Sequence, residues 1–124
     1  MRFRINLLGH ALLDRQHRLL AAETRALHAA LAHGRPARAI LGRLIRATRR
    51  HFASEDRLMR QVGYADEAGH RALHQGVMEE MLRMRAVLAA GQMLHPRHAD
   101  QVGEWLAHHT AEADRNLVAG LRSR

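Results

Sequence analysis

Apolar residues recur along this chain in alternating steps of three and four, the spacing of one buried helix face. Over Ala11–Ala32 the stripe runs Leu13, His17, Leu20, Thr24, Leu27 and Leu31. Gly34 and Pro36 then interrupt it, a residue suited to a left-handed cap followed by one suited to a helix start. A second stripe, from about Pro36 to Val62, carries Ile40, Leu44, Thr48, His51, Glu55, Leu58 and Val62. The turn Gly63-Tyr64-Ala65-Asp66 follows, with Asp66 as N-cap of a third helix. That helix, about Glu67 to Ala90, directs His70, Leu73, His74, Val77, Met81, Met84 and Leu88 to one side. Beyond the linker from Gly91 to Pro96, a fourth segment to about Leu121 presents Val102, Trp105, Leu106, His109, Ala113, Leu117 and Leu121. Four long amphipathic helices with short connections predict an all-α fold, an antiparallel up-down-up-down four-helix bundle. One domain spanning residues 1–124 is expected.

Several of these inward positions are not apolar. His51 and Glu55 are four residues apart, as are His70 and His74. On a helix that spacing stacks two side chains about 6 Å apart, so both reach one point in space. Burying a carboxylate among imidazoles is destabilising unless a cation joins them, and a metal site in the core resolves the conflict. The fourth segment adds His109 and Asp114, whose separation of five places them about 140° apart on a regular helix. On the first helix His10, His17 and His28 share one face, and periodicity does not choose among them.

Composition narrows the chemistry. The 124 residues include no cysteine, which excludes thiolate zinc sites, iron–sulfur clusters and thiol nucleophiles. The net charge of +8 comes entirely from arginine on the basic side, densest at Arg43, Arg46, Arg49 and Arg50. Aromatic residues make up 3%, too few to interleave with these arginines as a base-stacking surface, so nucleic acid is not the expected main partner. The N-terminal run of Ile5, Leu7 and Leu8 after Arg2 and Arg4 lacks the features of a signal peptide. No stretch is long and apolar enough to span a membrane, and a cytoplasmic protein is expected.

With these residues assembled, the chain resembles the hemerythrin family in its single-domain bacterial form. The resemblance rests on Asp14-Arg15-Gln16-His17, on His51-Phe52-x-x-Glu55-Asp56 with Leu58-Met59, and on Tyr64 in the turn. It continues through His70-x-x-x-His74 and Trp105-Leu106-x-x-His109-x-x-x-x-Asp114. It implies His17 as the first-helix ligand and a non-haem centre of two iron ions bridged by oxo or hydroxo. Five histidines (His17, His51, His70, His74 and His109) would be terminal ligands, and Glu55 and Asp114 would bridge. Two octahedral irons have about twelve positions, of which this set and the bridge fill about eleven. The remaining one is where dioxygen would bind.

The implied function is reversible dioxygen binding for transport, storage or sensing, with Trp105 and Leu106 lining the dioxygen pocket. Gln16 is a candidate to orient a ligand imidazole. His28, His33, His95, His98 and His108 match no ligand position. Thr110 stands where the family carries a bulky aliphatic residue. Two other readings use the same irons: reduction of peroxide or nitric oxide, and a redox- or oxygen-switched module for a protein partner. A ferritin-like centre needs two Glu-x-x-His pairs, whereas only Glu67-x-x-His70 is present. No His-Glu-x-x-His zinc motif occurs.

Overall fold

A computed structural model describes residues 10–122, apart from the side chains of 110, 111 and 122. The run from Ile5 to Leu8 and the Thr110 side chain therefore lie outside the described residues. The described chain is entirely helical between its turns: α1 (Ala11–Ala32), α2 (Arg38–Val62), α3 (Glu67–Ala89) and α4 (Pro96–His109), then a π turn (Thr110–Asp114) and α5 (Arg115–Arg122). α1 packs on α2 and α4, and α2 packs on α3 and α5. The four-helix bundle expected from the stripes is the observed fold, its fourth member being α4, the π turn and α5 in succession.

The helix ends follow local chemistry. Gly34 and Gly63 take φ of 63° and 62°, which side chains rarely tolerate, and end α1 and α2. After Gly34 the Arg35 amide donates back to the Ala30 carbonyl at 2.8 Å. α2 starts at Arg38 rather than Pro36, with Ala37 as a buried cap residue. Asp66 does precede α3, but its carboxylate makes no capping bond. It lies over Gly69 instead, where a Cβ would come within 2.5 Å of it.

A large apolar cluster fills the half of the bundle that includes Leu27, Leu41, Leu44, Ile45, Met81 and Leu106. A second, small cluster of Leu13 and Val118, with Leu58 against it, lies further along the same helices. Thr24 and Thr48 stay in the core because their hydroxyls donate to the carbonyls of Leu20 and Leu44, each at 2.7 Å. Between the two clusters along α1, α2 and the fourth member lie the ionisable residues. Leu73 departs from its expected stripe and is 45% exposed. His70 and His74 occupy the inward face of that turn of α3, which rotates Leu73 outward.

Candidate metal centre

Five histidines and two carboxylates converge from all four members of the bundle. His17 comes from α1, His51 and Glu55 from α2, His70 and His74 from α3, His109 from the end of α4 and Asp114 from the end of the π turn. All seven are buried, Glu55 and Asp114 completely. They form two overlapping groups able to hold a metal ion. One comprises Glu55, His70, His74, His109 and Asp114; the other comprises His17, His51, Glu55 and Asp114. Both carboxylates belong to both groups.

Asp114 divides its two oxygens between them. Oδ2 lies 2.7 Å from His17 Nε2 and 3.3 Å from His51 Nε2, whereas Oδ1 lies 2.9 Å from His109 Nε2 and 3.3 Å from His70 Nε2. Glu55 Oε1 lies 2.9 Å from His74 Nε2, 3.3 Å from His70 Nε2 and 3.4 Å from His51 Nε2. The five imidazoles thus all turn Nε2 inward.

The π turn corrects the sequence expectation for His109 and Asp114. On a regular helix the aspartate would approach from the flank, some 140° away. A π turn closes its hydrogen bonds over five residues instead of four, so residues five apart stack as residues four apart do elsewhere. The imidazole and the carboxylate consequently face the same interior point.

The donor set fits a metal better than it fits its own hydrogen bonds. His109 Nε2 and Asp114 Oδ1 lie 2.9 Å apart without hydrogen-bond alignment, and Glu55 Oε2 has no partner. His17 Nε2 and His51 Nε2 face each other at 3.1 Å. Buried polar atoms left in this state need a further partner, and a cation between them supplies it.

Charge within the cluster follows the same logic. Burial alone would raise the Glu55 pKa, but the imidazoles of His109, His70 and His74 around it, with His51 beside it, outweigh burial and bring it to about 2. Burial also acts upward on Asp114, and His109, His17, His51 and His70 together hold it well below the usual carboxylate range. Burial works against the charged forms of His70 and His109, yet Asp114 and Glu55 raise both to about 9. At His74 burial dominates and the pKa falls. In the metal-free protein, protons on His70 and His109 balance the carboxylates, and an entering metal must displace them.

Around the cluster, Gln16 accepts the His51 Nδ1 proton at 2.8 Å through Oε1 and donates from Nε2 to Ser54 Oγ at 2.9 Å. Ser54 in turn donates to the Arg50 carbonyl at 3.1 Å. With the Ser54 proton used there, its oxygen accepts from Gln16, and this fixes which end of the amide faces His51. His51 then carries its proton on Nδ1 and turns a lone pair inward from Nε2. Sequence reasoning gave Ser54 no role, although it lies three residues beyond His51, on the same side of α2. Also missed were Asp56, 3.4 Å from His74 Nδ1, and the stacking of Phe52 on His74 at 3.8 Å between ring centroids. Phe52 and Asp56 stood inside the quoted motif without a function.

Of the other first-helix candidates, His10 caps α1 by accepting from the Leu13 amide through Nδ1. His28 lies half-buried, 3.5 Å from Asp100. Trp105 is half-buried and stacks on His109 with centroids 5.6 Å apart. It borders a cavity of about 260 Å³ that His109 also lines. Leu106 is buried in the large apolar cluster and is not among that cavity's lining residues.

Fold and site together define a helical-bundle metalloprotein with a histidine-rich, carboxylate-sharing centre. The family model for the hemerythrin HHE cation-binding domain matches residues 8–121. The chain belongs to the hemerythrin family, whose members bind non-haem iron and dioxygen. It is 26% identical over 104 residues to a bacteriohemerythrin of Stenotrophomonas maltophilia, covering 82% of this chain and 68% of that protein. A bacteriohemerythrin of Pseudomonas paraeruginosa is 26% identical over 117 residues, covering 92% and 76% respectively. The fold superposes on the crystal structure of a wild-type hemerythrin with a TM-score of 0.83 at 26% identity, over 92% of this chain and 90% of that one. Among the described residues no helix is long and apolar enough to cross a membrane.

Proposed function

We propose that this protein binds dioxygen reversibly at a centre of two non-haem irons. The supporting observation is the division of Asp114, whose Oδ2 faces His17 and His51 while Oδ1 faces His70 and His109. A carboxylate so placed belongs to two metal positions, and Glu55 is shared by the same two groups. His70, His74 and His109 would hold one iron, and His17 and His51 the other. The side with two imidazoles would be the less filled, and by donor count an open position would fall there.

When bound, two ferrous ions supply the electrons and the vacant position that reversible dioxygen binding requires. The chain's own residues do the rest. Gln16 keeps the His51 Nε2 lone pair directed inward, and the Phe52 ring backs His74 and shields it from solvent. Leu106, one turn before His109, keeps that side of the centre dry, and Trp105 covers the His109 ring. Exclusion of water matters because a wet pocket favours irreversible oxidation over release.

Iron-loaded protein, reduced without air and then oxygenated, should develop a visible charge-transfer band that bleaches when oxygen is removed, through repeated cycles. Metal analysis beside the spectrum should return two irons per chain. One-way conversion to the ferric form with turnover of added peroxide or nitric oxide would replace this reading by a reductase.

A further inference from the structure

Charge is divided unequally between the first two helices and the rest of the chain. Residues 11–62, which contain α1 and α2, hold eleven of the twenty arginines and four of the twelve acidic residues. Two of those four, Asp14 and Glu55, are buried. Residues 67–122 hold six arginines and seven acidic residues. Nearly all the excess positive charge therefore belongs to the α1–α2 half of the bundle.

On that half, a groove of about 260 Å³ runs between the two helices, lined by Leu19, Glu23, Arg43, Arg46, Ala47 and Arg50. The three arginines are spaced by three and four residues, so they form one row about 10 Å long on α2. Glu23 holds the Arg43 guanidinium at 3.1 Å, and the Arg46 guanidinium lies over Gly42, where a Cβ would meet it at 3.6 Å. No ion pair to Arg46 or Arg50 is present among the described residues. Across the groove Leu19 is 45% exposed, and Leu12, two turns earlier on the same face of α1, is 37% exposed. A row of cations thus lies beside the uncovered Leu19, with Ala47 between them and Leu12 further along α1, past the end of the row.

We propose that the α1–α2 groove docks an acidic amphipathic helix of a partner protein. Such a helix carries carboxylates one turn apart beside an apolar stripe, the complement of the arginine row and of the exposed Leu19 beside it. Guanidinium groups suit this pairing because their planar fork matches a carboxylate in two parallel bonds. The leucines argue against a nucleic-acid backbone, which would leave them facing phosphates, and the groove has no aromatic ring for base stacking. A lipid surface is disfavoured because the site is a concave groove between two helices. The proposal does not depend on the iron centre.

The test uses the full chain and four probes. These are a synthetic helical peptide with a glutamate stripe beside a leucine stripe, the same composition scrambled, a 20-base-pair DNA duplex, and vesicles containing phosphatidylserine. The striped peptide should bind saturably, and its affinity should fall at least about tenfold in Arg46→Glu/Arg50→Glu. Leu19→Ser should weaken it severalfold. Arg83→Glu/Arg85→Glu, the same charge change on α3, should leave it within about twofold. All four side chains carrying the charge changes are exposed, so circular dichroism should be unaltered. Equal binding of the scrambled peptide, or equal loss in the α3 variant, would reduce the surface to general cationic character and overturn the proposal. Tighter binding of duplex or vesicles through Arg46 and Arg50 would overturn it in favour of those partners.

Discussion

Gln16 adjoins His17 in the sequence but serves His51, whose Nδ1 donates to its Oε1 at 2.8 Å. Adjacent helix residues point about 100° apart, so when His17 faces the centre Gln16 faces α2. The glutamine thereby joins two helices at the level of the cluster, and Ser54 sets its orientation from behind. Gln16→Ala should weaken iron binding by about ten- to a hundredfold, the usual cost of losing a partner behind a ligand imidazole. Ser54→Ala, which frees the amide to turn, should produce a smaller loss in the same direction. Competition against a chelator measures both. Unchanged affinity in Gln16→Ala would mean that the hydrogen bond is incidental to metal binding.

Glu55 and Asp114 each belong to both groups of donors, so neither can be removed at the expense of one position alone. Glu55→Ala and Asp114→Ala should abolish loading of two irons per chain, and His74→Ala should abolish it too by opening one position. Each alanine variant should also lose the stability that metal binding contributes to the fold. Iron content close to that of the unmodified protein in Glu55→Ala would sink the ligand assignment.

The π turn can be tested by changing its length. One alanine inserted after Ala113 rotates all that follows by about 100°. Asp114 would then leave the centre, and Leu117 and Val118, both buried, would leave the core. Deleting Ala113 instead restores a spacing of four, which a regular helix places on one face, and the phase of α5 is kept. Thermal denaturation should therefore show the insertion to be the more damaging of the two. A deletion variant that unfolds at the lower temperature would contradict this account.

Trp105 is the single tryptophan of the chain, and its ring lies parallel to that of His109 within 4°. Its fluorescence should be quenched as iron enters the centre and recover on chelation. His109→Ala, which removes both a donor and the stacked imidazole, should show little of this iron-dependent quenching. Emission insensitive to loading would place the metal elsewhere.

How much of this was legible in the sequence depended on which physical signal carried it. The stripe over Ala11–Ala32 matched α1 to the residue, because Gly34 marks where a left-handed turn is required. Spacings of four revealed the inward pairs on α2 and α3. Periodicity reports an angle around a helix and says nothing about depth along it, so His10, His17 and His28 were indistinguishable. The structure separates them as a cap, a member of the cluster and a half-buried neighbour of Asp100. Leu73 was placed on the inward stripe for another reason: a stripe is wide in angle, and the two histidines beside it take its centre. The π turn lay beyond reach for a different reason. A five-residue spacing on an assumed regular helix reads as divergence, and only the altered hydrogen-bond span turns it into convergence.

Among the described residues the centre is covered unequally from its two ends. On one side stands the large apolar cluster, and on the other stand Leu13 and Val118 with Leu58 against them. Leu13 is in the first turn of α1, and Val118 lies within the eight-residue α5. Helix ends open locally at far lower cost than a bundle unfolds. If the seven donors hold iron as proposed, opening at these two helix ends would admit water from that side, so the lifetime of a reduced centre would be tuned there without touching either the donors or the main core.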